Sequence, residues 1–212
     1  MTPTPTTRRR RPKTKSAKKP VAVAITGGIG AGKSAALAAF ARHGAAVVSS
    51  DEIVHRLLAD DAEVQQALRE RFGDRVFGAD GSVSRAAVAQ IVFADRGALA
   101  WLEALLHPRV VREYMEWREA LAGLPDPPAL AVTEVPLLYE VGGEKRFDVV
   151  VAITAPADLR ARRTKVPLAE RSERLIPDEE KLQRADFAYV NDGALEGLEA
   201  FVADVVAQLT AS

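Results

Sequence analysis

The segment of this chain with the clearest chemical meaning runs from Gly27 to Ser34 and reads Gly-Gly-Ile-Gly-Ala-Gly-Lys-Ser. It fits the spacing G-x-x-x-x-G-K-[ST], in which glycines let the backbone curl so that successive N–H groups point at phosphate oxygens. Lys33 adds a positive charge for the β- and γ-phosphates, and the Ser34 hydroxyl suits a magnesium ion. The segment therefore predicts binding of a nucleoside triphosphate.

The elements on either side of this loop agree with that prediction. Before it, Val21–Ile25 is short, apolar and partly β-branched, as a buried parallel strand should be. After it, Leu37, Phe40 and Ala41 recur at helical spacing, so a helix dipole adds to the aimed N–H groups. A chance match by a glycine-rich turn is the alternative, and this context argues against it. The predicted nucleotide-binding residues are Gly28, Ile29, Gly30, Ala31, Gly32, Lys33, Ser34 and Ala35.

The rest of the chain alternates between strand and helix patterns. Further strands are predicted at 45–48, 129–135, 147–153 and 187–190. Helices are predicted at 51–72, from Ser84, at 98–124, from Pro156 onwards and at 195–209, with a turn cluster at 73–81. The helix at 98–124 should divide in two at His107-Pro108, because proline removes a helical N–H group. This alternation predicts an α/β fold with a parallel sheet, and the long helical block should form a separate lobe.

Composition limits the class of protein. A chain of 212 residues that is 48% hydrophobic suits one α/β domain with insertions. It has no cysteine, which excludes disulfides and thiolate metal sites. No apolar run approaches the roughly 20 residues of a membrane span. We therefore expect a cytoplasmic protein without a membrane partner.

The neutral net charge conceals a basic tail. Residues 1–20 contain eight Lys and Arg, no acids and four prolines, which predicts disorder. The remaining residues carry 21 basic against 29 acidic side chains, so a nucleic-acid surface on the folded domain is not expected. Two interpretations of the tail stay open. It could make weak contact with nucleic acid or anionic surfaces, or it could be a simple solubilising extension.

Several further landmarks occur in a characteristic order. They are Thr26–Ser34, Val47–Ile53, Phe72-Gly73, Asp80-Gly81, Trp101–Pro108, Val135–Glu140, Phe147-Asp148, Ala185-Asp186 and Asn191–Gly193. With them the chain resembles the dephospho-CoA kinase family from about Val21 to Leu209, and the Leu-His-Pro and Pro-Leu-Leu-Tyr-Glu segments are the most specific. The resemblance implies a P-loop NTPase, nucleoside-monophosphate-kinase-like fold with a parallel five-stranded sheet. It divides residues 21–212 into a core (21–50 and 125–212), a helical acceptor lobe (about 51–124) and a lid (about 160–180).

The resemblance also implies a reaction and roles for single residues. ATP, with Mg²⁺, would phosphorylate the ribose 3′-hydroxyl of dephospho-CoA and give coenzyme A and ADP. Asp51 would be the catalytic base, assisted by Lys33 and Arg162, with Ser34 at the metal. The alternative for Asp51 is the N-cap of a helix starting at Glu52.

Two more residues and a basic cluster are assigned by the same resemblance. His107 and Glu140 would contact substrate, although a structural histidine and an ordinary surface carboxylate remain alternatives. The lid would carry the basic cluster Arg160, Arg162, Arg163, Arg171 and Arg174, for which a solvated helix face is the alternative.

Other functions stay open at this point. One is another P-loop kinase acting on a nucleoside or nucleotide. Another is a catalytically weakened ATP-binding protein, because the segment between Arg162 and Pro177 is shorter than in the family. A GTP-binding switch is disfavoured, since Asn191-Asp192-Gly193 is not an Asn-Lys-x-Asp guanine-binding motif.

Overall fold

The computed structural model describes residues 19–163 and 175–211, and in these ranges the strands form one parallel sheet. The strands are β1 (Val21–Gly27), β2 (Ala46–Ser49), β3 (Leu130–Glu134), β4 (Val149–Thr154) and β5 (Phe187–Val190). Their order is β2-β3-β1-β4-β5, and every neighbouring pair is parallel. The predicted α/β fold with a five-stranded parallel sheet is confirmed.

The helices connect these strands. They are α1 (Lys33–Arg42), α2 (Ser50–Asp60), α3 (Ala62–Phe72), α4 (Arg85–Ala94), α5 (Arg96–Ala122), α6 (Ala157–Arg163), α7 (Asp178–Arg184) and α8 (Leu195–Thr210). Short 3₁₀ turns occur at Gly73–Val76 and Gly143–Arg146. Within the described ranges, no helix combines the length and apolarity needed to cross a membrane.

The main core lies between one face of the sheet and helices α1 and α8. Val23 and Ile25 of β1 point into it and pack with Phe40 of α1 and Leu198 of α8, all buried. Alternate residues of the same strand face the other side, where Ala24 joins a second buried cluster. Burial on both faces explains why the strands read as continuous apolar runs. The carboxyl ends of the strands meet at one edge of the sheet, which is where α/β proteins bind ligands.

Two helix predictions were wrong. The pattern at 51–72 contains two helices, because Asp61 ends the first and caps the second by accepting a hydrogen bond from the Val64 N–H (3.0 Å). The division expected at His107-Pro108 is absent, and α5 continues through Pro108. Next to this proline, the Arg109 guanidinium donates to the Leu105 carbonyl (2.9 Å). The predicted cap at Ser84 is confirmed, since its hydroxyl accepts from the Ala87 N–H.

The described chain divides into two compact units. Ser50–Trp117 forms one, and the described residues before and after it form the other, which contains the sheet. The first unit is helical, with Arg109 paired to Glu63 (3.0 Å) and the rings of Phe72 and Trp101 packed edge to face. The acceptor lobe predicted at about 51–124 overlaps this unit. The division of residues 21–212 into a core, an acceptor lobe and a lid stays a prediction. Residues 1–18 of the predicted tail, and Arg171 and Arg174, lie outside the described residues.

Candidate active site

The glycine loop connects the end of β1 to the start of α1 in the sheet-containing unit. Gly30 (φ 73°) and Gly32 (φ 99°) take left-handed backbone conformations that favour glycine. Gly32 is the N-cap residue of α1, so no side chain caps the first N–H groups of that helix. Uncapped N–H groups at the positive end of a helix form an anion site. The loop therefore has the backbone geometry that its sequence predicted.

Lys33 lies folded over this loop. Its side chain is buried, and its Nζ donates a hydrogen bond to the Gly28 carbonyl (3.0 Å). A buried ammonium group at this place brings positive charge to the loop and the N-terminal end of α1, which both favour anions. The arrangement suits the phosphates of a nucleotide.

Ser34 is paired with an acidic residue that the sequence analysis missed. Its hydroxyl donates to Glu134 Oε2 (3.3 Å), and Glu134 is 4% exposed at the carboxyl end of β3. The strand β3 neighbours β1, which places Glu134 beside the loop. A carboxylate at the end of a mostly apolar strand could have indicated this residue. Hydroxyl and carboxylate oxygens are ligands that Mg²⁺ accepts, so this pair fits such an ion.

Asn191 supports the loop from the opposite side. Its Nδ2 donates to the Ala31 carbonyl (2.9 Å), and its Oδ1 accepts from the Gly193 N–H (2.9 Å). The side chain is 4% exposed and lies so close that a Cβ on Gly32 would collide with it. The sequence analysis quoted Asn191 only as a landmark. Its hydrogen bond to Ala31 makes it part of the site.

A cavity of about 250 Å³ opens beside Gly32. Leu195 and Leu198 give it an apolar wall, and Arg163 and Asn191 supply polar groups. Small-molecule sites have linings of this kind, although they usually enclose about 300–1,000 Å³. Its position next to the phosphate loop suits the base of a nucleotide.

Helix α6 brings arginines to the loop. Arg163 donates to the Gly30 carbonyl (3.3 Å), and Arg160 forms an ion pair with Asp178 (2.8 Å) directly beside Gly28. The side chain of Arg162 is 77% exposed and lies 4.0 Å from Asp158. Of these three arginines, Arg160 and Arg163 lie beside the loop in the described structure. The catalytic role of Arg162 stays a prediction.

Comparison with known proteins agrees with this geometry. The family model for dephospho-CoA kinase matches residues 21–197. The chain belongs to the dephospho-CoA kinase family. It is 35% identical to the dephospho-CoA kinase of Frankia casuarinae over 195 residues, which cover 89% of this chain and 83% of that protein. Membership in this kinase family makes the protein a phosphotransferase.

Solved structures show the same fold. TT1252 from Thermus thermophilus is 36% identical, superposes with a TM-score of 0.72, and the match covers 91% of this chain and all of that one. The dephospho-CoA kinase from Campylobacter jejuni superposes with a TM-score of 0.66 at 24% identity, over 92% of this chain and 100% of that one. The fold expected from the family resemblance is therefore confirmed.

Two site residues predicted from the family resemblance lie in the helical unit. Asp51 is exposed in the first turn of α2, two residues after the end of β2. Because that helix begins at Ser50, the alternative of Asp51 as the N-cap of a helix starting at Glu52 is wrong. His107 is half-buried within α5. Their roles toward substrate stay predictions.

Glu140 lies in a buried ion pair. Its Oε1 accepts from Lys181 Nζ (2.7 Å) and from the Ile176 N–H (3.1 Å), and Lys181 is 1% exposed. These contacts join the segment after β3 to α7, and they rule out the alternative of an ordinary surface carboxylate. Its predicted contact with substrate stays a prediction. Tyr139 precedes Glu140 in the sequence, and burial raises the pKa of its hydroxyl to about 12.

Proposed function

We propose that this protein transfers the γ-phosphoryl group of ATP to the ribose 3′-hydroxyl of dephospho-CoA, giving coenzyme A and ADP. The observation that carries the proposal is the phosphate loop with Lys33 folded over it, in a chain whose family match covers residues 21–197. Phosphoryl transfer requires positioning and charge stabilisation more than covalent participation by the protein. The loop, its lysine and the nearby arginines supply both.

The nucleotide would bind along the loop from phosphate to base. The backbone N–H groups at the start of α1 and the Lys33 ammonium would bind the β- and γ-phosphates. The cavity beside Gly32 would take the adenine, with Leu195 and Leu198 against the ring and the Arg163 guanidinium available to stack on it. This arrangement supports ATP as the phosphoryl donor.

Ser34 and Glu134 would hold a magnesium ion. Their oxygens lie 3.3 Å apart at the end of β3, and both are hard ligands suited to this cation. When bound, the ion would neutralise charge on the β- and γ-phosphate oxygens. The carboxylate of Glu134 would orient the Ser34 hydroxyl, because the two side chains are already hydrogen-bonded.

Asp51 would act as the base. A ribose hydroxyl is a weak nucleophile, and a carboxylate that accepts its proton makes the oxygen more reactive. The oxygen would then bond to the γ-phosphorus as the bond to the β–γ bridging oxygen breaks and ADP leaves. The family resemblance and the position of Asp51 in the first turn of α2, two residues after the end of β2, support this role. Arg162 would stabilise the transferred group, and His107 and Glu140 would position the acceptor.

An ADP-release assay with ATP, Mg²⁺ and dephospho-CoA tests the proposal. We expect release that requires dephospho-CoA, and a fall in kcat of at least about 100-fold in Asp51→Asn, as removal of a general base produces. Asp60→Asn is the matched control, because Asp60 is an exposed aspartate at the other end of α2. Equal turnover with a nucleoside acceptor, or ATP binding without dephospho-CoA-dependent release, would refute the proposed reaction.

A further inference from the structure

The ion pair between Arg160 and Asp178 occupies an unusual place beside the phosphate loop. A Cβ built on Gly28 would lie 2.8 Å from an Arg160 guanidinium nitrogen and 2.9 Å from an Asp178 carboxylate oxygen. Both charged groups therefore lie close to the beginning of the loop. A larger residue at this position would require the two charged side chains to move.

A carboxylate at this position opposes the function of the site. The loop binds phosphates through N–H groups, and a negative charge beside it repels them. The positive charge of Arg160, whose Nη1 lies 2.8 Å from the carboxylate, offsets part of this repulsion. The pair is largely shielded from solvent, with 24% of the arginine and 17% of the aspartate side chain exposed. Its charges are therefore less screened than those of a surface pair.

Arg160 has unused capacity to bind another anion. Its Nε is buried and finds no hydrogen-bond acceptor among the described residues. A guanidinium group has five donors and can bind a carboxylate and a phosphate together, or exchange one for the other. An incoming triphosphate carries more charge than one carboxylate and would compete with Asp178.

We infer that Arg160 is a phosphate-binding residue and that Asp178 holds it in place beside the loop and weakens nucleotide binding. The inference rests on the proposed use of ATP at this loop. Nucleotide binding exchanges part of the Arg160–Asp178 contact for an Arg160–phosphate contact. Asp178 therefore sets the affinity for the nucleotide without contacting the acceptor.

Removing the charge of Asp178 tests this inference, because a purely structural ion pair predicts the opposite sign. In Asp178→Asn we expect the Kd for ATP, measured by calorimetry, to fall roughly three- to tenfold, as removal of one nearby like charge should produce. In Arg160→Met we expect the Kd to rise about tenfold or more, through loss of a charged hydrogen bond. The KM for dephospho-CoA should not change in Asp178→Asn.

The double variant separates exchange of the ion pair from a general charge effect. In an Arg160→Met background, Asp178→Asn should give a smaller gain, because only the repulsion by Asp178 is removed and no Arg160 guanidinium is released for the phosphates. The matched control is Glu179→Gln, which removes an equal charge from an exposed position in the same helical turn and should change the Kd by less than about twofold. Thermal unfolding of each variant establishes that it is folded.

Three results would overturn the inference. They are an unchanged or raised Kd in folded Asp178→Asn, an equal gain in the double variant, and a normal Kd in folded Arg160→Met. Turnover of the unaltered protein with dephospho-CoA tests the proposed function separately. The inference can therefore fail while the kinase activity stands.

Discussion

Replacing Asn191 with aspartate should disable the phosphate loop without changing the shape of the side chain. The Oδ1 atom can still accept from the Gly193 N–H, but the Nδ2 donor becomes an oxygen facing the Ala31 carbonyl at 2.9 Å. A buried hydrogen bond is replaced by repulsion between two acceptors. A lost hydrogen bond and an unsatisfied buried acceptor together cost about 2–4 kcal/mol.

That cost should appear in nucleotide binding, because the bond fixes the peptide between Ala31 and Gly32, where the phosphates are proposed to lie. With about 1.4 kcal/mol per factor of ten, the Kd for ATP should rise by roughly 30-fold to several hundred-fold. Calorimetric titration of ATP measures this change. The KM for dephospho-CoA, measured at saturating ATP, should change far less.

Acidic pH should partly restore the Asn191→Asp variant. A protonated carboxyl group can donate to the Ala31 carbonyl, so the ratio of variant to wild-type affinity should improve as the pH falls. Asn191→Ala is the control, because alanine has no proton to regain and its ratio should stay constant. If folded Asn191→Asp bound ATP within about twofold of wild type, the argued role of Asn191 would be wrong.

Three further substitutions have outcomes that follow from their contacts. Gly32→Ala should abolish measurable ATP binding, since its Cβ would collide with Asn191 in a left-handed conformation, whereas Gly44→Ala, equally left-handed but in open space, should leave the Kd unchanged. Lys181→Met should lower the free energy of unfolding in urea by about 3–5 kcal/mol, because Glu140 stays buried without its partner; an unchanged midpoint would contradict this. Wild-type stability should fall between pH 10 and about 12, because burial raises the Tyr139 pKa and the folded protein resists loss of that proton. Tyr139→Phe should remove this part of the alkaline loss, and an identical pH profile would argue against it.

Local sequence patterns predicted most of the elements, and they failed at one helix break and at one proline inside a helix. The loop and its strand and helix follow from glycine spacing and apolar periodicity, which are properties of neighbouring residues. The break at Asp61 depends on a single side chain taking a capping geometry, and α5 continues through Pro108 although proline is unfavourable inside a helix. Neither is visible in periodicity alone.

The supporting residues of the site could be predicted less well, because their partners lie far away in the sequence. Glu134 follows an apolar run in the way many strand-terminal carboxylates do, and its partner Ser34 lies 100 positions earlier. Asn191 is 160 positions from Ala31. A polar residue after a strand indicates the correct edge of the sheet, but only the strand order shows which loop it contacts.

The phosphate loop depends on these distant residues because its conformation is costly. Glycines lose more conformational freedom on folding than other residues, and no side chain caps the first N–H groups of α1. Glu134 from β3, Asn191 after β5 and Arg160 on α6 each contact a different part of it. These contacts offset the entropy before the nucleotide arrives, so less binding energy is spent on ordering. The motif thus identifies the ligand, while residues outside the motif determine how tightly the loop binds it.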